Sequence, residues 1–166
     1  MAEQQMQEGG SGEVTAEARR IRAIPNAITQ SVKGAKVVVA VGKKKTAIAK
    51  AVVKSGVGRV RINGVPVEIW PIEMARLKMM EPIILAGKLA SSVDIEISVR
   101  GGGFMGQASA VRMAIARGLL EYFQDQNLYN LFSVYDESMI KGDHRRTEPK
   151  KPGLKHARSK RQKAYR

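Results

Sequence analysis

The chain has 166 residues and no cysteine, which excludes disulfides, thiolate metal ligands and cysteine nucleophiles. Its 29 Lys and Arg outnumber its 15 Asp and Glu, for a formal net charge of +14, a balance that points to a polyanionic partner rather than to any one fold. No apolar run approaches the ~20 residues of a membrane span, and "MAEQQMQEGGSGE" lacks the basic and apolar parts of a secretory signal, so one soluble intracellular domain with tails is expected.

Residues 1–35 read as a flexible N-terminal extension. Their polar, glycine-rich start has the composition of a linker, and the short helix that Thr15 could cap is stopped by Pro25. Residues 36–140 form the body. "KVVVAV" is a strand by its β-branched content, and "TAIAKAVVK" is expected to pair with it. In "RVRINGVPVEIW", alternating Val60 and Ile62, then Asn63-Gly64, then Val65, Val67 and Ile69 predict a tight hairpin, because both turn positions need positive φ. "PIEMARLKMMEPI" predicts a short helix bounded by Pro71 and Pro82. "VDIEISVR" predicts a half-buried strand with Val93, Ile95, Ile97 and Val99 inward. A longer helix over 106–123 presents Val111, Ile115, Leu119 and Tyr122 as one apolar stripe, with Arg117 facing away. "NLYNLFSVYD" is a second amphipathic helix. The pattern is α+β: a mixed or antiparallel sheet with helices on one face.

Residues 141–166 are an extended basic tail. They carry eleven Lys/Arg against two acids, nearly two-thirds of the net charge in 26 residues. With so few apolar side chains the tail cannot offset the entropy of ordering itself. Fully extended it spans roughly 85–95 Å, a length suited to threading among phosphates that would order it.

Several motifs compete for a function. "GGGFMG", Gly101 to Gly106, satisfies a dinucleotide fingerprint between a strand and a helix. Glu121 has the spacing of the acidic partner but lies late in the helix, and no second β-α-β half follows. The run is then a strand-to-helix turn with close backbone approach, or a set of backbone N–H groups that accept an RNA phosphate. "GKKKT" is no P-loop, since strands flank it. Lys43, Lys44 and Lys45 are a solvated turn or, with the tail's charge in view, phosphate contacts. His144 and His156 lack the spacing of a metal pair. Asp94 and Glu96 share an exposed strand face, and Arg112 and Arg117 read as surface charges or as part of an RNA face.

The segments "GKKKTAIAKA", "VRINGVPVE", "ISVRGGGFMGQASAVRMAIARGLL" and "DHRRTEPKKPGLKHARSKRQKAYR" together resemble the universal small-subunit ribosomal protein family numbered nine, of the archaeal and eukaryotic type. The resemblance covers about Lys36 to Arg166. It implies a four-stranded sheet, mixed or antiparallel, with helices packed on it, plus the long basic C-terminal tail. It also implies a structural, non-enzymatic part of the small-subunit head in the cytoplasmic ribosome, with no cofactor and no metal. The implied partners are small-subunit ribosomal RNA, neighbouring ribosomal proteins and transfer RNA in the peptidyl site. The residues expected to bind ribosomal RNA are Lys43, Lys44, Lys45, Gly101, Gly102, Gly103 and Gln107 in the body. In the tail they are Arg145, Arg146, Lys150, Lys151, Lys155, Arg158, Lys160 and Arg161. The tail's tip approaches the anticodon stem-loop in this family, a role that falls here to Arg166 with Lys163 and Tyr165. Residues 1–35 lie outside the resemblance. Tyr165-Arg166 stands where the bacterial branch has Lys-Arg, which costs one charge and adds a ring able to stack. The rival from composition alone is a basic DNA-packaging protein.

Overall fold

The computed structural model describes residues 27–32 and 35–159. Six strands form one mixed sheet in the order β1-β2-β3-β6-β4-β5, where β1 is Ala27–Val32, β2 Ala35–Lys44, β3 Ala47–Ser55, β4 Val60–Ile62, β5 Val65–Pro66 and β6 Val93–Arg100. All neighbours are antiparallel except β4 and β6, which run parallel. The α+β class is as expected, but the sheet has six strands rather than four. One extra strand, β1, comes from residues that the composition had assigned to the extension, and it pairs along β2 from Ala27–Ala40 to Val32–Ala35. The other, β5, is only two residues long, because Pro66 has no N–H to continue the ladder. Val65, Val67 and Ile69 do not extend as a strand: Val67 is buried in a 3-10 turn and Ile69 is exposed.

The hairpin between β4 and β5 follows the predicted chemistry. Asn63 and Gly64 have φ of 49° and 84°. Asn63 also bonds the neighbouring strand: its Nδ2 donates to the Val99 carbonyl at 3.2 Å, and its Oδ1 accepts from Val99 N–H at 2.9 Å. One residue thus turns the chain and fixes β4 against β6.

Four helices follow: α1 Glu73–Ala86, α2 Phe104–Phe123, α3 Gln126–Tyr135 and α4 Ser138–Lys141. Pro82 lies inside α1 rather than ending it. It is buried, so core packing there outweighs the roughly 3 kcal/mol that an interior proline costs a helix. α2 is the central element. It lies across β2 and β3 and carries α1 and α4 against it. For this reason it has no single apolar stripe: every residue from Ala110 to Leu120 is buried, while Tyr122 is only half-buried. The approach to the sheet is close because small residues line it. A Cβ on Gly42 would overlap the Ala110 carbonyl and lie 2.7 Å from Ala114 N, and one on Gly118 would lie 2.7 Å from Val53 Cγ2. The alternation predicted for β6 holds, with Val93, Ile95, Ile97 and Val99 buried. α3 is capped by Asp125, whose carboxylate accepts from Asn127 N–H at 2.9 Å.

Candidate nucleic-acid interface

The two motifs that the sequence left separate, the lysine turn and the glycine turn, are pressed together in space. β2 and β3 are joined by a tight turn in which Lys45 takes φ 54°. Gly101 and Gly102, at φ 75° and 69°, lie directly against it. A Cβ on Gly101 would sit 2.6 Å from the Thr46 carbonyl, and one on Gly102 would sit 3.0 Å from Ala47 Cβ. Both positions therefore require glycine for conformation and for space. Gly103 has ordinary backbone and opens α2 with no side-chain cap. Gln107 braces the turn, its Nε2 donating to the Gly101 carbonyl at 3.1 Å, so its amide serves the fold before any ligand.

This packing leaves a cavity of about 350 Å³ lined by Lys44, Lys45, Thr46, Lys78, Gly102 and Gly103. Three lysines, from β2, the β2–β3 turn and α1, line this cavity at the uncapped start of a 20-residue helix, with the Lys44 ammonium held by Asp143. Free N–H groups, the helix dipole and lysine charge all favour a phosphate there. Lys78 was missed by sequence reasoning. It reads as an ordinary surface lysine of α1, and only the tertiary fold brings it to the glycine turn. Lys43 separates from its neighbours: strand alternation turns it to the opposite side of the sheet, beside Ile48.

The tail leaves the body at this same site through a clamp. Lys44 forms an ion pair with Asp143, whose side chain is 8% exposed. Asp143 also accepts from Arg145 N–H at 2.9 Å and pairs with the Arg145 guanidinium at 2.6 Å. One step earlier in the chain, buried Arg117 donates from Nε to the Ile140 carbonyl at 2.9 Å and from Nη1 to the Val41 carbonyl at 2.7 Å. Gly142, at φ 87°, fits because a Cβ would lie 2.7 Å from Arg117 Nη2. Burial pushes the Arg117 guanidinium down from its usual value, yet an arginine keeps its charge at neutral pH. Arg117 was expected to face solvent; the outer helices that bury α2 on all sides reverse that expectation. Arg112 is likewise buried rather than on the surface, between Glu81 at 3.0 Å and Asp136.

The Asp143 carboxyl is held well below the usual carboxylate range, first by the Arg145 side chain, then by Lys44 and the Arg145 N–H. A depressed folded-state value means the clamp contributes above the unfolded carboxylate value of about 3.9 and is lost only as pH falls through the lower folded value. Protection of the Arg145 amide in hydrogen exchange, corrected for intrinsic rate, is therefore expected to stay constant from pH 8 to pH 5 and to disappear in Asp143→Asn. Protection that titrates near pH 4–5 would show an ordinary carboxylate and an unmade clamp.

Beyond the clamp, residues 142–159 hold no helix or strand, and most are exposed. Arg146, Lys150, Lys151 and Lys155 are exposed and make no ion pair among the described residues, while Arg158 pairs with Glu148 at 2.8 Å. Lys160, Arg161, Lys163, Tyr165 and Arg166 lie outside the described residues. Among the described residues no three His, Asp or Glu cluster as metal ligands, and no helix is long and apolar enough to cross a membrane. Asp94 serves the fold, accepting from Val57 N–H and Arg59 N–H at 2.9 and 3.0 Å; these bonds lower its pKa, that from Arg59 most.

Comparison with known proteins gives a consistent picture. Residues 42–166 match the family model described as "Ribosomal protein S9/S16". The chain is 68% identical over 131 residues to the small ribosomal subunit protein uS9 of Pyrobaculum aerophilum, covering 79% of this chain and 92% of that one. It is 55% identical to the proteins of the same name from Desulfurococcus amylolyticus and Methanothrix thermoacetophila. Each alignment spans 131 residues and 79% of this chain, with 94% and 99% of the respective relatives covered.

Proposed function

The chain belongs to the ribosomal protein S9/S16 family, and on that premise we propose that it binds and orders ribosomal RNA in the small-subunit head while its C-terminal tip contacts transfer RNA in the peptidyl site. Its role in the ribosome is structural and non-enzymatic. With the family known, the DNA-packaging alternative loses its ground. The observation that carries the RNA-binding reading is the meeting of Lys44, Lys45 and Lys78 with the glycine turn at the start of α2, beside the root of the basic tail. A ribosomal RNA phosphate seated there is met by charge and by backbone N–H groups that are already fixed, so little ordering cost remains.

The tail extends the same logic outward. Its root is held by Asp143 and Arg117, and the 24 residues from Asp143 to Arg166 span roughly 80 Å when extended. Arg146, Lys150, Lys151, Lys155, Arg158, Lys160 and Arg161 then meet ribosomal RNA phosphates along the way, and Lys163, Tyr165 and Arg166 reach the anticodon stem-loop. Lys163–Arg166 follow every described strand and helix in the sequence, so a chain without them is expected to keep those elements. Small subunits reconstituted with a chain lacking Lys163–Arg166 are expected to bind peptidyl-site transfer RNA roughly tenfold more weakly by filter binding. That factor is the worth of about one charge-assisted hydrogen bond. Equal affinity in truncated and full-length subunits would overturn the transfer RNA role.

A further inference from the structure

We infer that the bare face of the sheet is a second RNA-binding surface, which takes the sugar–phosphate backbone of ribosomal RNA rather than its bases. This rests on the RNA-binding reading above and extends it to Lys50, Arg61 and Arg100, which lie outside both the expected RNA contacts and the cradle formed by Lys44, Lys45, Lys78 and the glycine turn. One face of the sheet carries Ala49, Ala51, Ile95 and Ile97, all buried; the alternate residues, such as Lys50 and Ser98, are exposed or half-buried. The register sets them in rows. Lys43, Ile48 and Arg100 stand side by side at one end, and Val41, Lys50 and Ser98 form the next row. Val39, Val52, Glu96 and Arg61 form the third, with Ile28 beyond Val39.

Charge decides the occupant. The two acids of this face are already engaged. Asp94 accepts backbone N–H groups of Val57 and Arg59, and Glu96 pairs with Lys54 at 3.1 Å. Lys43, Lys50, Arg61 and Arg100 are exposed and make no ion pair among the described residues. A groove of about 590 Å³ lies between Lys50 and Arg61, lined also by Asn63, Gly64, Ser98, Val52 and the Lys54-paired Glu96. β3 and β4 are two strand spacings apart, roughly 10 Å, so Lys50 and Arg61 flank the groove instead of blocking it. The surface is a trough with cations on both walls, floored by Val52 and by Glu96, whose charge Lys54 offsets.

The kind of contact follows from what the rows lack. They contain no aromatic side chain, so no platform exists for stacking unpaired bases, the device by which other sheets read single strands. Phosphates on Lys50, Arg61 and Arg100 remain, with the Ser98 hydroxyl able to meet a ribose 2′-OH. The trough is also continuous with the cradle. Lys43 belongs to this face and Lys44 to the other, so the tip of the β2–β3 hairpin joins them into one cationic track.

The test is the salt dependence with which the full-length chain binds a small-subunit ribosomal RNA transcript. Neutralising three phosphate contacts in Lys50→Gln, Arg61→Gln, Arg100→Gln should flatten the slope of log affinity against log salt by roughly 2–3, at 0.7–0.9 per contact. The charge-preserving set Lys50→Arg, Arg61→Lys, Arg100→Lys should keep the wild-type slope, and equal thermal midpoints would show that all the chains are folded. An unchanged slope in the neutral triple variant, with a flattened one in a chain ending at Arg145, would overturn this surface and leave RNA binding by tail and cradle standing. Unchanged slopes in both would overturn this surface and confine RNA binding to the Lys44, Lys45 and Lys78 site. An unchanged slope together with failure to enter assembled subunits would give the face to a protein partner and overturn the inference.

Discussion

A chain ending at Arg145 should bind small-subunit ribosomal RNA with a far shallower salt dependence than the full chain, the slope of log affinity against log salt falling by roughly 4–7. The truncation removes nine Lys and Arg and one Glu, yet keeps Asp143, Lys44 and Arg145, so the clamp at the tail's root stays closed. In the described part of the removed segment, residues 146–159 contribute no strand or helix, and the apolar Leu154 and Ala157 are only half-buried. If about 6–8 of the lost cations each neutralise a phosphate, counterion release sets the expected change at 0.7–0.9 per contact. In this effect charge outweighs shape, because a segment with no packed core has little other free energy to offer. Titration of the transcript with full-length and truncated protein across a series of salt concentrations measures it. Equal slopes would mean that the tail's charge is merely solvated, and the site would contract to the cradle and the sheet face.

How much of this was legible beforehand depends on whether the deciding interaction is local. Asn63-Gly64 was readable because its positive φ values are demanded within two residues. The alternation of Val93 to Arg100 was readable because a strand between helices and water has a period of two. Of the readings the glycine run allowed, the turn of close approach is the one the geometry shows, but what it approaches, Thr46 and Ala47, lies 55 residues earlier, and no spacing encodes that. Lys78 entered the cradle unannounced for the same reason. Strand β1 was hidden by composition: a six-residue strand next to a polar, glycine-rich stretch is too short to stand out. Arg112 and Arg117 were misread because a helix buried on every side leaves no polar face, and a buried arginine looks in sequence like an exposed one. Pro82 was taken as a stop signal that core packing overrode.

Arg112 supplies the largest stability effect. Its guanidinium, 9% exposed, lies between Glu81 of α1, 3.0 Å away, and Asp136 at the end of α3, and so joins three helices through one charge. The Glu81 contact has an ion-pair distance without the alignment of a hydrogen bond, and Glu81 Oε2 is buried with no other partner. Arg112→Met preserves the aliphatic stem and much of the packing, but it strands that oxygen in the interior. Breaking a buried pair from one side typically costs 3–5 kcal/mol, because the remaining charge is uncompensated. Glu81 and Asp136 retain some water, at 26% and 36% exposure, which lowers the expectation to about 2–4 kcal/mol. For a chain of this size that is a fall in Tm of roughly 6–12 °C, measurable by circular dichroism or calorimetry. The repair identifies the cause. Adding Glu81→Leu and Asp136→Asn to Arg112→Met removes the stranded charges, and most of the lost Tm should return, since apolar replacements of buried ion pairs are often neutral. A triple variant no more stable than Arg112→Met would assign the loss to packing around the guanidinium instead. Arg117 admits no such repair, because its partners are the carbonyls of Val41 and Ile140, which no side-chain substitution can remove. The two buried arginines thus differ in kind: one balances charge among helices, while the other ties the start of the basic tail to the sheet.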